Sequence, residues 1–302
     1  NYCYTTMFKE CTALTKAPEL PATTLAKRCY DNMFQACANI TKAPELPATT
    51  LADYCYYYMF NGCSGLTKAS ALPATTLANS CYYGMYQYCK SLTSAPKLPA
   101  TTLANQCYGS MFYNCTNLTS INMQDGVTTI KYGAFYNCDS LTQITVPASV
   151  KSIEGSGSGG VFENCDNLVT VTFAKGSQLT TIGPRAFMDC TKLSKIQLPQ
   201  SVTSIENSVF YNCENLTSIN LPDNITTIGY NAFARTSLTT IKFPSKLTQI
   251  NESNSSTKIP QFGNKLKGRI VIPASVSSIG QNAFDGCQGI TEIWFESGSK
   301  LN

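Results

Sequence analysis

Leu20-Pro21-Ala22-Thr23-Thr24-Leu25-Ala26 returns beginning at Leu46, Leu72 and Leu98, 26 residues apart each time. A fixed period of this size means that each unit is one supersecondary element whose apolar face is covered only by its neighbours, so the chain reads as a solenoid. Around that string the unit is Cys3-Tyr4-x-x-Met7-Phe8-x-x-Cys11-x-x-Leu14, with copies starting at Cys29, Cys55, Cys81 and Cys107. After residue 117 the wording shifts to forms such as Leu216-Thr217-Ser218-Ile219-Asn220-Leu221-Pro222, Ile228-Gly229 and Ala232-Phe233. An aromatic anchor aligns the two forms at Phe8, Phe34, Phe60, Tyr86, Phe112, Phe135, Phe162, Phe187, Phe210, Phe233, Phe262 and Phe284, which gives about 12 repeats. One extra residue before the Pro and two after it account for the difference between units of 26 and 23 residues.

Two periodicities divide the unit. Apolar residues alternate in Leu216-x-x-Ile219-x-Leu221-Pro222, the pattern of a strand buried on one face, and Pro199, Pro222, Pro244 and Pro273 mark its exit. Pro18, Pro44 and Pro96 fall earlier in their units, so strands of the 26-residue half are expected to be shorter or frayed. From Cys29 to Cys37, and from Ile205 to Cys213, apolar residues recur at spacings of four, one and three, which predicts a turn or two of helix on the opposite side. The fold class expected is therefore an α/β repeat solenoid, a right-handed leucine-rich-repeat superhelix with short parallel strands on one face and short helical turns on the other. It would form one domain over 1–302, with 26-residue repeats over 1–117, mostly 23-residue repeats over 118–302, and insertions near 155–160 and 251–264. The Asn that usually ladders such repeats is not evident, and Asn117-Leu118-Thr119 and Asn215-Leu216-Thr217 read as turn residues.

The Leu-x-x-Ile-x-Leu-Pro segment followed by Ile182-Gly183-x-x-Ala186-Phe187-x-x-Cys190-x-x-Leu193 resembles the BspA-like, Treponema pallidum type, leucine-rich repeats of bacterial surface proteins, many from gut and oral Bacteroidales. The resemblance covers nearly the whole chain. It implies an exported protein at the cell surface or outside the cell, with a role in adhesion to host matrix proteins or other cells.

Composition narrows the chemistry. The chain of 302 residues is 43% hydrophobic and 13% charged, with a net charge of +4 and no Lys/Arg run, so nucleic acid is not an expected partner. No apolar stretch approaches the ~18 residues of a membrane span. The opening Asn1-Tyr2-Cys3 and the closing Lys300-Leu301-Asn302 enter and leave in mid-unit, so the array is expected to continue beyond both. There is no His, and the 18 acids are scattered singly, so no enzymatic role and no cofactor are expected. Gly155-Ser156-Gly157-Ser158-Gly159-Gly160 lacks the Lys and Ser/Thr of a phosphate loop and reads as a flexible insertion. Of the 15 cysteines, one ladder (Cys11, Cys37, Cys63 and onward) sits three residues after the anchor, and a second (Cys3 to Cys107) exchanges with Ile182, Ile205 and Ile228. Exchange with Ile points to packed, reduced thiols ahead of disulfides or metal.

Two surfaces remain as binding candidates. Strand alternation turns two residues per unit outward, among them Lys195 and Gln197, Ser218 and Asn220, Thr240 and Lys242, Arg269 and Val271, and Glu292 and Trp294, while Ile293 joins the buried row of Ile219. Trp294, the sole Trp, is either a contact residue or a site covered by a further repeat. On the other side Tyr4, Tyr30, Tyr56, Tyr82 and Tyr108 form a ladder, near which Tyr57, Tyr58, Tyr83, Tyr88 and Tyr113 cluster. That ladder either binds sugars or partner proteins or packs against itself. The reading is a monomeric scaffold that binds a host or bacterial surface protein through its strand face. The alternatives are a polysaccharide-binding module that uses the tyrosine ladder and a structural stalk.

Overall fold

A computed structural model describes residues 2–101, 103–251 and 260–301; part of the expected insertion near 251–264 thus lies outside the described residues. Its strands are β1 (Thr129–Ile130), β2 (Gln143–Val146), β3 (Ser152–Ile153), β4 (Thr170–Phe173), β5 (Thr181–Ile182), β6 (Lys195–Gln197), β7 (Ser204–Ile205), β8 (Ser218–Asn220), β9 (Thr227–Ile228), β10 (Gln249–Ile250), β11 (Lys267–Ile272), β12 (Ser278–Ile279) and β13 (Gly289–Phe295). Every pairing between them is parallel, as stacked coils wound in one direction require.

The continuous sheet is not where alternation alone places it. Seven strands, β1-β3-β5-β7-β9-β10-β12, pair Ile to Ile from Ile130 to Ile279, at the position read above as the start of a helical turn. The expected strand position instead carries three separate two-stranded sheets, β2-β4, β6-β8 and β11-β13. The solenoid is thus a β-solenoid with about seven regular turns, and the strands do not support twelve equivalent repeats. Before residue 124 strand pairing shrinks to single bridges such as Thr24↔Thr50 and Lys42↔Lys68, in keeping with the early Pro18, Pro44 and Pro96.

The described residues contain no helix, which corrects the expected helical turns. In the Cys29 coil, N–H groups of Tyr30, Asn32, Phe34 and Ala36 donate to carbonyls of Cys55, Tyr57, Met59 and Asn61 in the next coil at 2.7–2.9 Å. The alternate N–H groups of Met33, Gln35 and Cys37 close local turns on Tyr30, Asn32 and Phe34. Arg28, Asn32 and Ala36 have φ of 55°, 54° and 61°, so a left-handed residue returns every fourth position. A run of four-residue turns repeats its apolar residues at nearly helical spacing, while sending half its donors to a neighbour as no helix does.

One continuous core threads the coils. The twelve aromatic anchors stack in order from Phe8 to Phe284 with centroids 5.4–5.9 Å apart. No disulfide joins any of the fourteen cysteines from Cys11 to Cys287. Thirteen are buried, and those after the anchors point Sγ at the preceding coil, as in Cys63 Sγ to the Phe34 carbonyl at 3.1 Å and Cys190 Sγ to the Phe162 carbonyl at 3.2 Å. Cys3 and Cys11 are exposed, because the first coil has a neighbour on one side only.

Asparagines do ladder this array. Asn39, Asn167 and Asn215 donate side-chain amide N–H to carbonyls of Thr12, Asp139 and Thr191 one coil back, at 2.7–2.8 Å, so the asparagine just before buried Ile40, Leu168 and Leu216 carries a coil-to-coil bond. The Gly155–Gly160 segment is packed rather than free. A Cβ on Gly155 would lie 1.6 Å from the Pro184 carbonyl oxygen and one on Gly160 1.7 Å from that of Arg185. Arg185 clamps it by donating to the Gly157 carbonyl (2.9 Å) and to buried Glu163 (2.6 Å), which also accepts the Gly160 N–H at 2.7 Å. Burial pushes the Glu163 carboxyl up, against the pull of the Gly160 amide and Arg185.

Candidate functional site

Lys195, Gln197, Ser218, Asn220, Thr240, Lys242, Arg269, Val271, Glu292 and Trp294 are all exposed; alternation accounts for this on β6, β8 and β11, whereas 291–295 on β13 are exposed on both faces. The structure gathers them into patches. Lys195 and Gln197 on β6 face Ser218 and Asn220 on β8 in direct register. Lys242 lies in the irregular chain between β9 and β10 and belongs to neither two-stranded patch.

Arg269, Glu292 and Trp294 form a single constellation. Arg269 on β11 is the register partner of Glu292 on β13, and Val271 that of Trp294. The Arg269 Nε donates to Glu292 Oε2 at 2.8 Å, and the Trp294 indole N–H donates to the same oxygen at 3.0 Å. The guanidinium carbon sits 4.3 Å from the Trp294 ring centroid, within cation–π range. The hydrogen bond and charge of Arg269 hold the Glu292 carboxyl below its ordinary value. One acceptor thus fixes the edge of the indole and the cation over its face, so a flat amphipathic surface is presented with few rotamers left to freeze on contact. Trp294 is 53% exposed, and Val271 and Phe295 flank it at 41% and 51%.

Ile293 departs from expectation. It pairs with Ile270 in register but is 47% exposed, since β13 has a strand on one side only and the core row it was assigned to is uncovered there.

Apart from Tyr4, exposed on the first coil, the tyrosine ladder is not a surface. Tyr30, Tyr56, Tyr82 and Tyr108 are buried and stack at 5.6–6.0 Å, so they line the interior of the longer coils, and burial pushes their phenols up. Where a 23-residue coil puts Gly183 at this position, a Cβ would already meet the Ile153 carbonyl oxygen at 2.7 Å. The Tyr-to-Gly exchange therefore records interior width. An outer set, Tyr54, Tyr57, Tyr58, Tyr83 and Tyr132, is half-buried, and among these Tyr54 and Tyr132, together with Arg28, escaped the reading of sequence alone. Counting two residues past each Cys29-type position would have put Tyr57, Tyr83 and Tyr132 in one column.

Among the described residues no group of His, Cys, Asp and Glu is arranged to hold a metal ion, and no helix is long and apolar enough to cross a membrane. The model of the BspA type leucine-rich-repeat region matches residues 2–108, 27–157, 158–259 and 260–301. A leucine-rich repeat protein from Bacteroides ovatus has a similar structure, at a TM-score of 0.58 and 21% identity over 90% of this chain; the match spans 62% of that protein, so this chain accounts for less than two thirds of its length. A leucine rich cell surface protein from Faecalibacterium prausnitzii matches 88% of this chain and 76% of its own at 23% identity, with a TM-score of 0.46. The leucine-rich repeat protein of T. pallidum matches 55% of this chain and 72% of its own at 26% identity, with a TM-score of 0.45. No curated protein matches the sequence.

Proposed function

The chain belongs to the BspA-type leucine-rich-repeat family, and from that premise we propose that it is a non-enzymatic binding scaffold of a bacterial surface protein. Its partner on this reading is an extended segment of a host or bacterial surface protein, engaged by a single copy of the chain outside the cell. The observation that carries the reading is the Arg269–Glu292–Trp294 constellation, in which a rigid indole and two opposite charges are exposed together on the strand face. Tryptophan and arginine are the side chains that most often dominate binding energy at protein interfaces. The β6-β8 patch, with Lys195, Gln197 and Asn220, adds hydrogen-bonding groups to the same kind of face. A tyrosine-ladder polysaccharide site loses its support, because the ladder is interior.

The test is binding of the purified chain to immobilised host matrix proteins and to surface extracts of co-resident bacteria. The scaffold reading expects saturable binding to at least one defined protein, competed by the soluble chain and weakened at least tenfold by Trp294→Ala. Binding to none of them, or binding indifferent to every strand-face substitution, contradicts it.

A further inference from the structure

The first four coils carry Lys16-Ala17-Pro18-Glu19, Lys42-Ala43-Pro44-Glu45, Lys68-Ala69-Ser70-Ala71 and Ser94-Ala95-Pro96-Lys97, where the fifth has Ser120-Ile121-Asn122. At these positions the coils are joined two by two. Lys42 bridges to Lys68 and Ser94 to Ser120, and the Thr67 and Thr119 N–H groups donate to the Thr41 and Thr93 carbonyls at 2.9 Å. Among the described residues no bond of this kind joins the Lys16 segment to the Lys42 segment, or the Lys68 segment to the Ser94 segment.

Proline sets this alternation. Buried Ser70 donates its hydroxyl to the Pro44 carbonyl at 2.6 Å and draws its coil onto the one before. Pro44 and Pro96 stand at the same position with neither hydroxyl nor N–H to give, so their coils stay parted from the ones before. Two clefts open there, one of 610 Å³ between the Lys16 and Lys42 segments and one of 460 Å³ between the Lys68 and Ser94 segments. Their charges differ. Lys16 and Lys42 in the first are balanced by Glu19 and Glu45, whereas the second has Lys68 and Lys97 and no acid. The five ion pairs among the described residues use none of these side chains.

We propose that the two clefts together take a polyproline II segment of a protein partner, with an acidic side chain in the second cleft and an apolar one in the first, three residues apart. The clefts lie two coils apart, about 9.6 Å at the ~4.8 Å spacing of paired strands. A polyproline II chain turns once in three residues and advances ~9.3 Å in doing so, so every third side chain faces the same way at nearly this step. In an extended β chain the like-facing side chains fall every ~6.8 Å and miss the second cleft. The ammoniums of Lys68 and Lys97 complement one carboxylate. A uniform polyanion such as a sulfated glycan would meet Glu19 and Glu45 on the same track, so like charge disfavours it. The partner's class rests on the scaffold reading above; the clefts use none of Arg269, Glu292 or Trp294.

The experiment is fluorescence anisotropy of a labelled peptide, three repeats of Pro-Pro-Glu-Pro-Pro-Leu, titrated with the purified chain. Saturable binding is expected, unchanged in Trp294→Ala and weakened at least tenfold by Lys68→Glu/Lys97→Glu, which alters only exposed side chains. That variant should in turn prefer the peptide with Lys in place of Glu. Pro96→Ser keeps every charge but supplies the hydroxyl that Ser70 uses, so it should close the second cleft and weaken binding at least tenfold. A peptide repeating Pro-Glu-Pro-Leu, with its anchors two residues apart, should bind at least tenfold more weakly. Peptide binding without binding to matrix or bacterial surface proteins would count against the scaffold reading and leave the clefts standing. No binding of the three-residue repeat, binding untouched by the lysine substitutions or by Pro96→Ser, equal binding of the two repeats, or binding of heparin in place of the peptide would overturn the proposal.

Discussion

Removing one ring from the middle of the aromatic stack separates the solenoid from any fold with a diffuse core. Phe187 is fully buried between Phe162 at 5.4 Å and Phe210 at 5.7 Å. Phe187→Ala deletes a buried aromatic, about 3–5 kcal/mol, and breaks two stacked contacts of about 0.5–1.5 kcal/mol each beyond area. Partial collapse of the cavity offsets some of this, so the expected loss is about 5 kcal/mol. Phe8 is half-buried and stacks on Phe34 alone at 5.6 Å, which predicts about 2 kcal/mol for Phe8→Ala. Because coils bind only their neighbours, the interior deletion should also uncouple the two sides of the array. Urea unfolding followed by far-ultraviolet circular dichroism reports the whole array, and fluorescence of Trp294 its far end. In Phe187→Ala the two curves should separate; in Phe8→Ala they should still coincide. Equal losses for the two variants, or coincident curves with a loss below ~1 kcal/mol for Phe187→Ala, would refute a core carried by nearest-neighbour stacking.

Titration with a thiol reagent should find Cys3 and Cys11 reactive in the native protein and all fifteen cysteines after denaturation without reductant; a majority that stays unreactive in denaturant would mean disulfides. Burial pushes the Cys55, Cys63 and Cys165 thiols from 9.0 up to about 12. Raised values mean that the unfolded chain loses these protons first, so stability is full below pH ~9 and falls as pH climbs toward ~12, by roughly 1 kcal/mol per buried thiol at pH ~10. Urea midpoints at neutral and alkaline pH check this, and Cys63→Val should flatten the slope; an unchanged slope counts against it. Arg185→Ala strips the buried Glu163 carboxylate of its cation and should cost about 3 kcal/mol. Adding Glu163→Gln should recover part of the loss in the same unfolding assay, and no recovery would show that Arg185 acts by packing alone.

The period and the burial of most cysteines were legible because each is repeated down the chain at one position, whereas the continuous sheet was not, since two-residue strands such as Thr181–Ile182 are too short to show alternation. Outward placement of Arg269 followed from alternation, whereas Glu292 and Trp294 lie on a strand exposed on both faces. The turns from Cys29 to Cys37 were not legible as turns, since four-residue steps imitate helical spacing, and the sign that distinguishes them is backbone φ, which Arg28, Asn32 and Ala36 do not advertise as glycine would. Ile293 and Cys11 were misplaced for a shared reason: position in the repeat predicts burial only where a coil is covered on both sides. The ion pair and cation–π contact at Trp294 joins residues 23 and 25 positions apart, visible only once β11 and β13 are in register.

The strand face is tested most directly by Trp294→Ala. Trp294 is 53% exposed, so its removal should leave the unfolding midpoint nearly unchanged. Against a matrix or bacterial surface protein that the native chain binds, surface plasmon resonance should show affinity at least ~1–2 kcal/mol weaker, about tenfold or more. Native affinity in the folded Trp294→Ala protein would contradict recognition through this face.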